Sequence, residues 1–139
     1  LGEEFDTFLS LPATSPLRST EDVEEAINAL DSQTDAVITV TPATRSPYFN
    51  MVSRALDGTT TILCPSDGYA RRQDAPEAFD VTTVAYVMKK GFILQRNRLF
   101  DGRLKSVVVP KERAVDIDDI LDFKFAELLY VEVENVVAK

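Results

Sequence analysis

Residues 35–41 read DAVITVT, a β-branched run of the kind that fills a buried strand. Its neighbours decide what sort of sheet it enters. Upstream, residues 5–11 carry Phe5, Phe8, Leu9 and Leu11 and are closed by Pro12, which predicts a strand. Between the two runs, Ser19-Thr20-Glu21-Asp22 supplies a hydroxyl cap and early carboxylates, the signature of a helix start. Val23, Ala26, Ile27 and Leu30 then recur at helical spacing and predict one apolar face. Strand, helix and strand in this order predict a βαβ unit with parallel pairing and a right-handed crossover.

Downstream, residues 42–48 form a loop with two prolines. Residues 50–56 and 59–64 flank Asp57-Gly58, a strong hairpin turn signal. Residues 65–76 are polar, and strands are predicted at 81–88 and at 104–109, the latter closed by Pro110. A short helix is predicted at 91–97 and a longer one at 118–130, with Leu121, Phe125, Leu128 and Leu129 on one face and 131–139 as its extension or frayed end. The alternation predicts an α/β domain over residues 1–139, a mostly parallel sheet flanked by helices. The hairpin and the loop after it, residues 45–80, read as an insertion projecting from the sheet.

The bulk properties narrow the chemistry. A chain of 139 residues, 45% hydrophobic and 27% charged, fits one soluble globular domain. No apolar run approaches the roughly 20 residues that span a bilayer, and Leu1-Gly2-Glu3-Glu4 lacks the basic start and apolar stretch of a leader peptide. The net charge of −8 disfavours nucleic acid and anionic membranes as partners. The single Cys64 cannot close an intrachain disulfide, which suits a reducing, cytoplasmic setting. Histidine is absent, which excludes Ser-His-Asp and Cys-His catalysis and zinc held by imidazole. A metal, if used, would be a hard cation on carboxylates, Mg²⁺ foremost.

Three clusters can carry chemistry. Asp116-Ile117-Asp118 follows a strand and opens a helix. In extended backbone, positions i and i+2 share a side, so Asp116 and Asp118 would seat a divalent cation that bridges phosphates. The same acids also suit a helix N-terminus, the reading that fits Asp119 and Asp122. Arg71-Arg72-Gln73-Asp74 is either an anion clamp in an acidic chain or a solvated loop paired with Glu77 or Asp80. Thr14-Ser15-Pro16-Leu17-Arg18, between a strand end and a helix start, can hold an anion or a sugar hydroxyl, or can serve only as turn and cap. Cys64 reads as a packing residue, as do Tyr48, Phe49, Tyr69, Phe79 and Tyr86, and neither GxGxxG nor a Walker A pattern occurs.

Taken in order, LPATSPLRSTEDV (11–23), DAVITVTPATRSPYFNM (35–51), RRQDAPEAF (71–79) and ERAVDIDDILDFKFAE (112–127) resemble the CMP-sialic acid synthetase (acylneuraminate cytidylyltransferase) family. The resemblance implies a Rossmann-like fold of the nucleotide-diphospho-sugar transferase type, with residues 45–80 as a hairpin arm that makes a homodimer. It implies transfer of CMP from CTP to a nonulosonic (sialic-type) sugar acid, with Mg²⁺ on Asp116 and Asp118. Arg72 would act on the neighbouring subunit's substrate, Arg71 and Gln73 would bind beside it, and Thr14 and Ser15 would line the sugar pocket. Pro12, Phe49 and Thr82-Thr83 depart from residues the family carries in its acceptor pocket, which leaves the sugar acid open. Nothing in the chain corresponds to the family's basic, glycine-rich loop for CTP, so the resemblance is to the C-terminal portion. Two alternatives stand beside it: a non-catalytic assembly or binding module of the same fold, and a Kdo-type cytidylyltransferase.

Overall fold

The structure, a computed structural model, describes residues 4–65, 68, 69 and 71–137, with side chains to residue 131. Residues 1–3 of the start, 66, 67 and 70 of the polar loop, and the last two residues of the tail lie outside the described residues. The elements in order are β1 (Thr7–Ser10), α1 (Thr20–Asn28), β2 (Ala36–Pro42), β3 (Val52–Arg54), β4 (Thr60–Ile62), β5 (Phe79–Lys89), α2 (Lys90–Gln95), β6 (Leu104–Val108) and α3 (Ile120–Val137). The chain folds as two compact units, one made of residues 1–41 and 81–139, the other of Pro42–Asp80.

The first unit is built on a four-stranded sheet in the order β1-β5-β2-β6. β2 pairs with β6 in parallel, from Ala36 opposite Leu104 to Val40 opposite Val108. β1 pairs with β5 antiparallel, from Thr7 opposite Lys89 to Ser10 opposite Tyr86. β5 also runs against β2. Lys89 N–H donates to Asp35 O at the start of β2, while Ala85 N–H donates to Thr39 Oγ1 four residues further along it. The expectation of a mostly parallel sheet is therefore corrected to a mixed one. β1, β2 and β6 point one way and β5 the other. β1 and β2 are not neighbours either, because β5 lies between them. The reason is connectivity. The chain leaves the end of β2, makes the 42–80 excursion, and returns as β5. A strand that starts at the end where its neighbour finished can only run back along it, whereas a parallel return would need a crossover to the far edge.

α1 begins where its residues predict. Ser19 is the N-cap, its side chain accepting from Asp22 N–H at 3.2 Å while Asp22 Oδ2 accepts from Ser19 N–H at 3.0 Å, a complete capping box. The core joins Ala26 of α1 to Val37, Ala85 and Val87 of the sheet, with Leu9, Leu30 and Val107 against them. Ile27, expected on that face, is turned outward. β2 is buried on both faces from Ala36 to Thr41, as a central strand must be. Thr39 and Thr41 are the polar members of that strand, and the Thr39 hydroxyl meets Ala85 N–H at 3.1 Å and Thr82 Oγ1 at 2.7 Å.

α3 differs from its expected orientation. Leu121, Phe125 and Leu128 are exposed, and Ala126 is its buried residue among the described ones. Asp122, Ala126 and Leu129 share one helical face, and it is this narrower face that turns inward. Among the described residues no helix is long and apolar enough to cross a membrane.

The second unit contains the β3–β4 hairpin, paired from Val52 opposite Ile62 to Arg54 opposite Thr60. Gly58 in its turn has φ of 91°, the left-handed conformation that selects glycine. Asp57 Oδ1 accepts Thr59 N–H at 2.9 Å and completes the turn.

Candidate functional site

The parallel strands β1, β2 and β6 end on the same edge of the sheet, the edge where open α/β sheets receive ligands. Two loops meet there. The loop after β1 carries Thr14 and Ser15, and the loop after β6 carries Asp116, Ile117 and Asp118. They are joined by Ile117 N–H, which donates to Thr14 O at 2.9 Å. The structure thus brings together two of the three clusters that the sequence singles out.

Within these loops the residues play different parts. Ser15 is 1% exposed, and its hydroxyl lies 2.6 Å from Thr83 Oγ1 of β5. It ties the loop to the sheet. Thr14 is exposed, its carbonyl already spent on Ile117. Asp116 is half-buried, and its Oδ1 is fully enclosed without a hydrogen-bond partner among the described residues. Asp118 is exposed, and its N–H donates to Asp122 Oδ2 at 3.1 Å. Asp119 and Asp122 cap α3 as expected: Asp119 Oδ1 accepts from Leu121 N–H at 2.7 Å and Asp122 N–H at 3.1 Å, and Asp122 Oδ2 accepts Asp119 N–H at 3.1 Å. Among the described residues no group of three or more His, Cys, Asp or Glu side chains is arranged to hold a metal ion.

Some participants carry little sequence signal. Tyr86 of β5 has its hydroxyl pKa raised, first by burial and then by the negative charge of Asp116, which places the ring in the field of that carboxylate. Arg113 donates from Nε to Asp22 Oδ2 and from Nη2 to Asp22 Oδ1, both at 2.8 Å. Burial acts to raise the pKa of Asp22, but the Arg113 guanidinium and Ser19 N–H outweigh it and hold that carboxyl below its ordinary value. In the sequence Asp22 was legible only as an early carboxylate of a helix start, and Arg113 only as the second residue of the ERAVDID stretch.

The third cluster lies in the 42–80 unit. Arg72, Gln73 and Asp74 form one 3₁₀ turn with Arg71 just before it, all exposed. Arg72 Nη2 donates to Thr44 O at 3.0 Å. A cavity of about 610 Å³ is lined there by Arg45, Ser46, Arg72, Gln73, Glu77 and Phe79, among others.

No known family profile matches the chain. It is 35% identical over 137 residues, 98% of its length, to the post-translational flagellin modification protein B of Campylobacter coli, covering 57% of that protein. It is 31% identical over 103 residues, 74% of its length, to the CMP-N,N'-diacetyllegionaminic acid synthase of Campylobacter jejuni, covering 43% of it. The chain thus spans about half the length of the curated relatives it matches. Its fold is similar to the crystal structure of 4-diphosphocytidyl-2C-methyl-D-erythritol synthase from Anaerococcus prevotii, with a TM-score of 0.57 and 18% identity, over 95% of this chain and 61% of that one. Sequence and fold together make the chain a homologue of the flagellin modification protein and the CMP-legionaminic acid synthase, built on the α/β fold of a cytidylyltransferase.

Proposed function

We propose that the chain carries the acceptor- and metal-binding part of a cytidylyltransferase, which transfers CMP from CTP to a nonulosonic acid and releases pyrophosphate. The observation that carries this reading is Asp116. Its Oδ1 is enclosed without a donor among the described residues, two residues before the exposed Asp118, at the strand-end edge of the sheet. An enclosed, unpaired carboxylate oxygen costs about 1–3 kcal/mol, and a fold tolerates that where a ligand supplies the missing partner. Mg²⁺ fits, because it is bound through one or two carboxylates plus substrate phosphates and keeps several waters, so no third protein ligand is required. When bound, the ion neutralises charge on the triphosphate. Asp116 and Asp118 are the residues that would hold it.

We assign the remaining roles on the family resemblance stated for these residues. Thr14, exposed on the loop joined to Ile117, offers its hydroxyl to the acceptor, and Ser15 holds that loop through Thr83. Arg71, Arg72 and Gln73 supply donors to an anionic group of the substrate, in two-point fashion where a guanidinium is used. We assign the 42–80 unit to a homodimer arm that offers Arg72 to the substrate of a second copy. In the reaction, the carbon-2 hydroxyl oxygen of the acid bonds to the α-phosphorus of CTP and gives up its proton to solvent, while the bond from that phosphorus to the bridging oxygen breaks and pyrophosphate leaves. The protein's contribution is positioning and charge stabilisation.

The name of one relative makes N,N'-diacetyllegionaminic acid the first acceptor to try. The test is pyrophosphate release from CTP with Mg²⁺ and a panel of nonulosonic acids, on the protein that carries this chain. Turnover with one acid, lost on chelation and in Asp116→Ala and Asp118→Ala, supports the proposal. Turnover that survives both substitutions removes the metal assignment. A folded protein that ignores CTP and every acid is a binding or assembly module instead.

A further inference from the structure

We infer that Arg113 and Asp22 form a positioning pair, which holds the Asp116 carboxylate in place for the cation. This inference rests on the metal reading above. Asp22 has 4% of its side chain exposed and Arg113 37%, and the two share parallel bonds of 2.8 Å from Nε and Nη2. The contact ties the N-terminus of α1 to the segment that runs from the end of β6 into the Asp116 loop. That segment is held at successive points. Arg113 N–H donates to Pro110 O at 3.0 Å and Ala114 N–H to Lys111 O at 3.2 Å, closing a turn. The Arg113 side chain then locks onto Asp22, Val115 is buried, and Ile117 N–H reaches Thr14 O.

Asp116 therefore sits between two fasteners, Arg113 three residues before it and Ile117 one residue after. Both fasteners end on the same stretch, between β1 and the first turn of α1. A two-point guanidinium–carboxylate contact fixes direction as well as distance, which a lysine ammonium cannot reproduce. The partner is fixed in turn, because Asp22 Oδ2 also accepts Ser19 N–H in the capping box. The pair acts through the backbone on a carboxylate whose Oδ1 is enclosed and has no partner among the described residues, so a small rotation of the loop would re-aim that oxygen. Groups that orient metal ligands from behind alter affinity by about 10- to 100-fold when they are removed.

The experiment is Mn²⁺ binding, followed by electron paramagnetic resonance in the presence of CTP, on the full protein and on Arg113→Lys, Arg113→Met, Asp22→Asn and Asp116→Asn. Amide exchange at Ile117, Val37 and Val87 is measured on the same samples. The expected result is Mn²⁺ binding weakened about 10- to 100-fold in Arg113→Lys and Asp22→Asn. Faster exchange at Ile117 should accompany it, by a larger factor than at Val37 and Val87, whose protection reads the loss of global stability. Should Arg113→Met fail to fold, Arg113→Lys, which keeps the charge, carries the test. Unchanged Mn²⁺ affinity in Arg113→Lys, alongside its loss in Asp116→Asn, would overturn the positioning role and leave the metal assignment standing. Unchanged affinity in Asp116→Asn would overturn both.

Discussion

The backbone N–H of Ile117 donates to the carbonyl of Thr14 at 2.9 Å, joining a loop near the start of the chain to one near its end. Each loop follows a strand of the same direction, β1 or β6, and so each emerges at the same edge of the sheet. The candidate site exists because of this meeting. A set of substitutions tests the physics that builds it.

Asp22→Asn should destabilise the protein at neutral pH and flatten its response to acid. The folded-state pKa of Asp22 lies below its ordinary value, since Arg113 and Ser19 outweigh the effect of burial. Its stabilisation is therefore fully present above the unfolded value of about 3.9 and is lost as pH falls toward the folded value. Breaking a buried ion pair costs about 3–5 kcal/mol, and the partial exposure of Arg113 points to the lower end of that range. Urea unfolding at pH 7 and pH 3 should show a large difference from the parent at the first and a smaller one at the second.

Asp116→Asn should behave in the opposite way, keeping the fold and losing the chemistry. Its Oδ1 has no partner among the described residues, so removing the charge relieves an unfavourable burial. The melting temperature should stay level or rise, while Mg²⁺-dependent turnover falls about 100-fold or more. A fall in melting temperature with turnover intact would mark Asp116 as a structural residue.

Thr39→Val should cost about 1–3 kcal/mol although it removes no volume, because Ala85 N–H and the Thr82 hydroxyl lose their shared buried partner. Thermal or urea unfolding reads this directly, and a neutral result would mean that the strands re-pair around the methyl group.

Two glycines offer a contrast. A Cβ on Gly102 would come within 3.0 Å of Cδ2 and Cζ of the Phe92 ring, so Gly102→Ala should destabilise by about 1–3 kcal/mol through overpacking. Gly91, inside α2, has nothing within 4 Å of such an atom. Gly91→Ala should stabilise by about 0.5–1 kcal/mol, since alanine orders a helix at lower entropic cost. Equal effects from the two substitutions, read by denaturant midpoint, would refute the argument.

Much of the local structure was legible. Ser19 was read as the hydroxyl cap of a helix with early carboxylates behind it, and it caps α1 as read, with Asp22 closing a capping box. Asp57-Gly58 makes the hairpin turn, with Gly58 in the conformation for which glycine is selected. Asp119 and Asp122 cap α3. Of the site, the Asp116–Asp118 and Thr14–Ser15 clusters were both visible as chemistry, but not their meeting. Nothing in either stretch encodes Ile117 N–H reaching Thr14 O. Arg113 and Tyr86 were less visible still, because an arginine in a charged stretch and a tyrosine in a strand look the same whether or not they attend a carboxylate.

The sequence by itself determined the order and type of the elements, that residues 35–41 form a buried strand, and that histidine is not available to any chemistry here. These follow from short-range causes: backbone capping, side-chain period and the side chains available. The tertiary structure alone decided that β5 lies between β1 and β2, that α3 turns Ala126 inward and leaves Leu121, Phe125 and Leu128 exposed, and that Asp22 is buried under Arg113. Strand order, helix rotation and ion-pair burial are all fixed by pairing and packing between segments far apart in the chain, and no local period records which distant segment will be the partner.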